Sequence, residues 1–157
     1  ALTGLPNRRH FDEVLARDLA LVRRGGHALC LALLDLDHFK RINDNWSHAV
    51  GDAVLRETAQ LLEAESRASD LVARLGGEEF ALVLPDTTLE EALVVCTRMQ
   101  ASFRERASWA GVKGLQVTFS LGLAQCEPGD TPATLFERTD AALYQAKNSG
   151  RDRLRVG

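Results

Sequence analysis

Two short acidic segments of the sequence have the residue types and spacing that could hold a divalent cation. Asp35–Asp37 follows a run of apolar residues, and Gly76–Phe80 places two glutamates directly after two glycines. Glutamates that enter an apolar strand need partners, because burying a carboxylate is unfavourable. Two carboxylates and a free carbonyl form the oxygen ligand set that suits Mg²⁺, which normally takes its other ligands from water and substrate phosphates. If the segments are neighbours in the fold, Asp35 and Glu78 converge on such a site.

The local sequence predicts strands that would bring these segments together. The uninterrupted apolar run over His27–Leu34 predicts a buried strand that ends just before Asp35. The runs Asp70–Leu75 and Glu78–Leu84 predict two more strands. The pair Gly76-Gly77 between them predicts a tight hairpin, because such turns need positive φ. Ligands bind outside strand ends in sheets of this kind, although an aspartate there can also simply cap a turn.

The elements around these strands predict a single sheet with helices packed on it, in one domain covering residues 1–157. Asn7 and Thr131 can cap helices, and Pro132 suits a first helical position. Trp109 falls in a segment of Ser, Gly and Lys that predicts a variable loop without a function. The predicted helices are Arg8–Arg24, His38–Asp44, Gly51–Glu65, Leu89–Arg104 and Pro132–Lys147. The remaining predicted strands are Leu115–Leu123 and, at a sheet edge, Leu154–Val156.

Composition and charge exclude several classes of protein. Of the 157 residues, 45% are hydrophobic and 26% are charged, and no apolar run is long enough to span a membrane. A net charge of −3 does not supply the basic field that nucleic-acid binding needs. Cys30, Cys96 and Cys126 are widely spaced and odd in number, which favours a reducing compartment over a secreted disulfide framework. Cys30 and Cys96 are predicted to be core residues. Since the sequence begins without methionine or a signal peptide, we expect a piece of a longer protein.

Two groups of basic residues could hold anions. Lys147 and Arg151 lie at the end of the last predicted helix, where cations are also common for purely structural reasons. Arg67 precedes Asp70 by three residues. Arginine can pair bidentately with phosphate or guanine acceptors, and aspartate can accept hydrogen bonds from guanine. The other interpretation of Arg67 and Asp70 is a surface ion pair of small energetic value.

Several motifs in the correct order resemble the GGDEF family of diguanylate cyclases, in its Gly-Gly-Glu-Glu-Phe form. The matching segments are Leu2–Arg9, Asp35–Asp44, His48–Asp52, Gly76–Phe80 and Ala146–Arg151, so the resemblance covers essentially the whole chain. It implies a nucleotidyl-cyclase-like palm of class α/β (α+β), with a central mixed sheet of about five strands surrounded by helices. It also implies a single cytoplasmic domain of a longer signalling protein with an upstream sensor domain, whether or not that parent protein is anchored in a membrane.

The resemblance implies a role for each matching residue in condensing two GTP molecules into cyclic di-GMP and two pyrophosphates. Glu78, Glu79 and Lys40 would be catalytic, with Glu78 accepting the 3′-hydroxyl proton. Mg²⁺, or Mn²⁺ in its place, would be held by Asp35, the carbonyl of Leu36, Glu78 and Glu79. Substrate would contact Phe39, Asn43, His48, Asp52, Lys147 and Arg151. Within that set, Asn43 and Asp52 would read the guanine edge, while Lys147 and Arg151 would join Lys40 on the triphosphate.

The resemblance also implies regulation and assembly. Arg67, Asp70 and Arg98 fall at the positions of the family's inhibitory product site. Each domain of the family binds one GTP, so catalysis predicts a symmetric homodimer. Neither nucleic acid nor direct membrane contact is expected. Trp46-Ser47 departs from the family's usual aromatic residue followed by glycine, and Ser47 would be strained if its φ had to be positive.

Two other functions stay open on the sequence alone. The first is a catalytically inactive GGDEF domain that acts as a receptor for cyclic di-GMP or GTP. Such domains usually lose the Gly-Gly-Glu-Glu residues or the metal aspartate, and this chain keeps both. The second is another palm-type cyclase or polymerase acting on a different nucleotide, against which Asn43 and Asp52 favour guanine.

Overall fold

A computed structural model describes residues 2–157 of the chain. Within this range the helices are α1 (Arg8–Gly25), α2 (Phe39–Asn45), α3 (His48–Ala64), α4 (Leu89–Glu105) and α5 (Pro132–Asn148). The strands are β1 (Leu29–Leu36), β2 (Leu71–Gly76), β3 (Glu79–Pro85), β4 (Ser108–Trp109), β5 (Val112–Lys113), β6 (Phe119–Gln125) and β7 (Leu154–Val156). The predicted N-cap of α1 is confirmed, since the Asn7 side chain accepts a hydrogen bond from the His10 amide.

The main sheet has five strands in the order β2-β3-β1-β6-β7, and β4 pairs separately with β5. β1 lies at the centre, antiparallel to both β3 and β6, and β6 is parallel to β7. The parallel pair makes the sheet mixed, so the predicted α/β palm arrangement is confirmed. Because helices cover both faces of β1, its sequence from Leu29 to Leu34 is an uninterrupted apolar run.

Alternate residues of β1 face the two layers of helices. Ala32 and Leu34 pack in the cluster that includes side chains of α3 and α4. Leu31 and Leu33 pack in the other cluster, with side chains of α1 and α5. Because side chains alternate along a strand, the same pattern directs Asp35 toward the α5 side of the sheet. The core therefore fixes which helix can supply a partner for this carboxylate.

The hairpin between β2 and β3 differs from its prediction by one residue. Gly76 is the last residue of β2 and pairs with Glu79, so the turn consists of Gly77 and Glu78. The pairing register shifts between Arg74 and Gly76, as at a β-bulge. Gly76 and Gly77 have φ of 149° and 52°, so both occupy conformations that favour glycine. The shift leaves Glu78 at the tip of the hairpin instead of in the strand.

Two element boundaries differ from the prediction by three residues or more. α3 begins at His48, three residues earlier than expected, because Ser47 caps it by accepting a hydrogen bond from the Val50 amide. β6 begins at Phe119, so the segment from 115 to 118 is not part of the strand. That segment still contributes Leu115 and Val117 to the core, which explains its strand-like apolar pattern.

The prediction of a variable loop around Trp109 is wrong. Trp109 is fully buried on the small β4–β5 hairpin. Its ring lies 5.0 Å from that of Phe103 on α4, and the Arg106 guanidinium lies 4.7 Å above it. The small and polar residues near Trp109 therefore belong to a tight hairpin that closes one side of the core.

The predicted core positions of Cys30 and Cys96 are confirmed, since both are completely buried. Burial raises the pKa of each thiol to about 12, so neither is a reactive thiolate at neutral pH. No helix formed by residues 2–157 is long and apolar enough to cross a membrane.

Candidate active site

The two acidic segments meet at one edge of the main sheet, as the sequence predicted. Asp35, near the end of β1, is paired with Glu79 of β3. The Leu36 amide donates a hydrogen bond of 3.2 Å to the Glu78 carbonyl. The central strand and the hairpin tip thus place the candidate metal ligands Asp35, Glu78 and Glu79 side by side. We call this end of the strands, defined by these three carboxylates, the carboxylate edge.

The carboxylate of Asp35 is largely enclosed. Its side chain is only 14% exposed, and one oxygen, Oδ2, forms an ion pair with the Lys147 ammonium from the end of α5. The other oxygen, Oδ1, is buried and accepts no hydrogen bond from residues 2–157. A buried carboxylate oxygen without a partner is unfavourable, so this atom favours binding of a cation.

The electrostatics of Glu79 point to the same need for positive charge. Burial is the main factor that raises the pKa of Glu79, and the nearby carboxylates of Asp35 and Asp140 raise it further. Lys147 and Arg8 oppose this rise without cancelling it. A pKa raised by burial beside other carboxylates is a frequent property of functional sites.

The raised pKa of Glu79 predicts a pH-dependent effect of the Glu79→Gln substitution on the metal-free domain. The folded protein binds the proton more tightly than the unfolded chain, so ionising Glu79 lowers the free energy of unfolding as pH rises. We therefore expect Glu79→Gln to stabilise the domain at neutral pH. This gain should vanish below the ordinary glutamate pKa of about 4.3, where both states are protonated.

Urea unfolding in the presence of a chelator, at neutral and at acidic pH, measures this difference. Glu63→Gln is the matched control, because Glu63 is exposed on α3. An equal gain for Glu79→Gln at both pH values would contradict the assigned electrostatics.

The oxygen ligands available here fit a hard divalent cation held partly by its substrate. Among the described residues, no group of three or more His, Cys, Asp or Glu side chains has the geometry of a complete metal site. Asp35 and Glu78 with the Leu36 carbonyl would leave coordination positions for phosphate oxygens and water. That incomplete protein ligand set is typical of Mg²⁺.

A second group of predicted site residues lies on the two helices that follow β1. Phe39, Lys40 and Asn43 are on α2, and His48 and Asp52 are on the first turns of α3. Lys40 and His48 are exposed, whereas the other three are half-buried.

Gly51 determines how closely the two helices approach. A Cβ atom at Gly51 would lie 1.8 Å from Asn43 Oδ1 and 3.3 Å from the Phe39 ring. The Asn43 amide therefore lies directly against the Gly51 backbone and beside the first turns of α3. The sequence contained Gly51 within a recognised motif but did not indicate this packing role.

The structure also removes the expected strain at Ser47. Its φ is −178°, an extended conformation that any residue adopts. Trp46, just before it, is 47% exposed. The replacement of glycine by serine therefore leaves the backbone relaxed and adds a helix cap beside Asn43 and Asp52.

Arg151 lies in the turn that connects α5 to β7. Gly150, Arg151 and Asp152 all have positive φ, at 120°, 62° and 46°. The Arg151 amide donates to the Ala146 carbonyl, which folds the turn back onto the last turn of α5. Lys147 and Arg151 are thus on the α5 end of the carboxylate edge, and Lys147 reaches Asp35.

The predicted product-site residues lie away from this edge. The Arg67 guanidinium donates to the Asp70 carboxylate at 3.1 Å, to the Pro85 carbonyl at 2.8 Å and to Thr87 Oγ1 at 2.7 Å. Arg98 on α4 is instead paired with Glu65, at 2.5 Å. Arg67, Asp70 and Arg98 line one pocket together with Glu65, which sequence inspection did not single out.

The fold and this edge define a class of protein. These features are expected of a nucleotidyl-cyclase-like palm: an antiparallel central strand and a hairpin tip bring carboxylates together, with polar side chains of α2 and α3 and the basic end of α5 beside them. Comparison with known proteins gives the family. The protein-family model described as "Diguanylate cyclase, GGDEF domain" matches residues 1–153. The chain belongs to the GGDEF family.

Curated relatives extend over almost all of this chain. The diguanylate cyclase DgcP of Pseudomonas aeruginosa is 44% identical over 155 residues, which are 99% of this chain and 23% of the relative. The response regulator PleD of Caulobacter vibrioides is 44% identical over 154 residues, 96% of this chain and 34% of the relative. The chain therefore spans about a quarter to a third of the length of these relatives.

Solved structures share the fold closely. The diguanylate cyclase SiaD of Pseudomonas aeruginosa, in complex with its activator SiaC, has a TM-score of 0.94 at 45% identity, covering 99% of this chain and 60% of SiaD. The GGDEF domain of DgcB from Caulobacter crescentus, in complex with c-di-GMP, has a TM-score of 0.92 at 36% identity, covering 99% and 93% of the two chains.

Proposed function

We propose that this domain is a diguanylate cyclase that condenses two GTP molecules into cyclic di-GMP and releases two pyrophosphates. The observation that carries the proposal is the buried Asp35 Oδ1, which has no partner within residues 2–157 and lies beside the Glu78–Glu79 hairpin edge. Membership of the GGDEF family supports guanine nucleotides as the substrates.

The chain's own residues bind the substrate and move its proton. Asn43 and Asp52 bind the guanine edge, with His48 and Phe39 beside it, and Lys40, Lys147 and Arg151 bind the triphosphate. Glu78 accepts the proton of the attacking 3′-hydroxyl, and Glu79 helps to balance charge at the same edge. Asp35, the Leu36 carbonyl, Glu78 and Glu79 would hold Mg²⁺, or Mn²⁺ in its place, and the bound ion would supply activation of that hydroxyl and neutralisation of charge on the pyrophosphate.

Two copies of the domain are needed for the reaction. One edge binds one GTP, whereas ring closure requires the 3′-hydroxyl of each GTP to attack the α-phosphate of the other. The active species is therefore a symmetric homodimer with the two edges facing each other. In the parent protein, an upstream sensor domain would control how often two of these cytoplasmic domains meet.

The direct test is to incubate the domain with GTP and Mg²⁺ and to measure cyclic di-GMP and pyrophosphate. We expect activity per mole of domain to rise with protein concentration, because dimer formation is bimolecular. GTP binding without product at any protein concentration, together with tight cyclic di-GMP binding, would instead support a receptor. Turnover of a different nucleotide in preference to GTP would support another palm-type enzyme.

The intact Arg67 pocket supports product inhibition as part of the function. Arg67 is oriented by three acceptors, and Arg98 lines the same pocket. Cyclic di-GMP would exchange these internal partners for its own phosphate and guanine acceptors.

We predict that Arg67→Ala weakens product inhibition. A hydrogen bond to a charged group contributes about 1.5–3 kcal/mol, so the inhibition constant should rise by about tenfold or more. Initial rates at increasing cyclic di-GMP concentrations measure this change. Arg9→Ala, at an exposed position on α1, is the control. Equal inhibition of the unsubstituted domain, Arg67→Ala and Arg9→Ala would exclude the Arg67 pocket as the site of product inhibition.

We predict that Gly51→Ala impairs guanine recognition without unfolding the domain. The added methyl would overlap Asn43 Oδ1, the end of a mobile side chain, so the amide must move. A displacement of about 1 Å at a substrate contact can lower kcat/KM by up to about a hundredfold. Steady-state kinetics of Gly51→Ala should therefore show at least a tenfold loss, by the same principle.

A double-mutant cycle tests the cause. In the Asn43→Ala background the overlap with Asn43 is absent and only the 3.3 Å contact with the Phe39 ring remains. Gly51→Ala should then change the kinetics by much less and stabilise α3 by about 1 kcal/mol through helix propensity. A loss of the same size in both backgrounds would show that Gly51 acts on something other than Asn43.

A further inference from the structure

Asp37 belongs to the acidic segment after β1 but takes no part in the carboxylate edge. Its side chain is 6% exposed. Oδ1 accepts a hydrogen bond of 2.7 Å from Ser120 Oγ, and Oδ2 accepts one of 2.7 Å from Thr118 Oγ1. Oδ2 also accepts a bond of 2.9 Å from the Asp152 amide. Both oxygens are occupied by donors from the residue before β6, from β6 and from the turn after α5, so Asp37 is not available as a metal ligand.

The bond to the Asp152 amide holds a turn that would otherwise be unfavourable. Arg151 and Asp152 are consecutive non-glycine residues with positive φ, a conformation that is sterically unfavourable for residues with a Cβ atom. Gly150, just before them, also has a positive φ, at 120°, which favours glycine. On the solvent side, Arg104 donates to the Asp152 carboxylate at 3.0 and 3.2 Å. Asp37 is the buried anchor of this turn.

The turn is joined to the end of α5 from which Lys147 reaches Asp35. Arg151 is inside it, and its amide closes the end of α5 by donating to the Ala146 carbonyl. Lys147, next to Ala146, reaches Asp35 from that same helix end. The side chain of Asp37 is therefore bonded to the turn that closes the end of α5, whereas Asn43 and Asp52 lie on α2 and α3.

We propose that Asp37 is a positioning residue for the triphosphate: by holding the left-handed turn at Asp152, it fixes the backbone of Arg151 and the end of α5 from which Lys147 reaches Asp35. This inference rests on the proposed binding of GTP at that edge. It predicts that loss of the Asp37 carboxylate weakens the binding of GTP but not that of GMP. GTP contacts both the basic residues that hold the triphosphate and the residues that bind guanine, whereas GMP has no β- or γ-phosphate for those basic residues to bind.

The experiment compares the dissociation constants of GTP and GMP for Asp37→Ala, at a protein concentration too low for product formation. We expect Asp37→Ala to weaken GTP binding by about tenfold and to leave GMP binding unchanged. Asp37→Asn should recover most of the loss, because its amide oxygen can accept from Asp152 while its NH₂ group donates to Ser120. Thr118→Val is the matched control, since it removes one donor to Asp37 but keeps the Asp152 bond.

Each outcome decides a separate point. Unchanged GTP binding in Asp37→Ala, or equal weakening of GTP and GMP, would overturn the inference, as would a GTP defect of the same size in Thr118→Val. If the unsubstituted domain bound no GTP, the proposed function itself would fail. Should Asp37→Ala not fold, hydrogen exchange of the Asp152 amide in the unsubstituted domain replaces it. Slow exchange supports the buried bond, and exchange at the rate of an open turn overturns it.

Discussion

Asp35→Asn is expected to reduce cyclic di-GMP formation by about a thousandfold while the domain remains folded. Charge stabilisation by a catalytic metal ion contributes several kcal/mol, and about 4 kcal/mol corresponds to a thousandfold change in rate. Asparagine preserves the shape of Asp35 but removes the negative charge that pairs with Lys147 and favours a cation. The partly exposed Lys147 can then turn toward solvent, so the fold should not depend on this ion pair.

Product formation at saturating GTP and Mg²⁺, with circular dichroism as a check on folding, measures this effect. Asp12→Asn makes the same chemical change at an exposed α1 carboxylate and should leave the rate unchanged. A second measurement separates metal binding from other effects: Mg²⁺ should raise the melting temperature of the unsubstituted domain more than that of Asp35→Asn. Full activity of Asp35→Asn in a folded protein would contradict the metal assignment.

Trp109→Ala should cause the largest loss of stability among single substitutions considered for this domain. The indole is completely buried and packs against Phe103, which in turn packs edge-on against Phe119 of β6 at 4.8 Å. Truncating a buried tryptophan to alanine typically costs about 3–5 kcal/mol, because apolar contacts are lost and a cavity remains. A domain of this size is stable by about 5–15 kcal/mol, so much of its stability would be lost.

Urea unfolding followed by circular dichroism measures this loss. Trp46→Ala is a matched control, because it removes the same side chain from a position that is 47% exposed. Its effect on the free energy of unfolding should be within about 0.5 kcal/mol. Comparable losses for the two substitutions would show that Trp109 is not the packing centre of the β4–β5 hairpin.

Features governed by short-range patterns were predictable from the sequence. The long apolar run of β1, the glycine hairpin and the cap residues Asn7 and Thr131 all express local preferences, and the structure confirms those elements within a few residues. The order of the motifs was enough to indicate the GGDEF family. The carboxylates could be paired in advance because a strand end and a hairpin tip have few ways to meet in one sheet.

Features governed by contacts between distant segments required the tertiary structure. Trp109 lies among residues typical of a loop, and only packing against Phe103 makes it a core residue. The bulge before Gly76, which moves Glu78 into the turn, depends on the pairing of β2 with β3.

The carboxylates of one short segment show the same division most clearly. Sequence alone determined that Asp35 and Asp37 lie where a buried strand ends, because an apolar run of that kind must end at the sheet edge. Tertiary structure decided their different tasks. Asp35 has Lys147 and an open oxygen, whereas both oxygens of Asp37 are filled by donors more than 80 positions away in the chain. No pattern within three residues could distinguish the two, since the partners that separate them arrive only when β6 and the turn after α5 fold against β1.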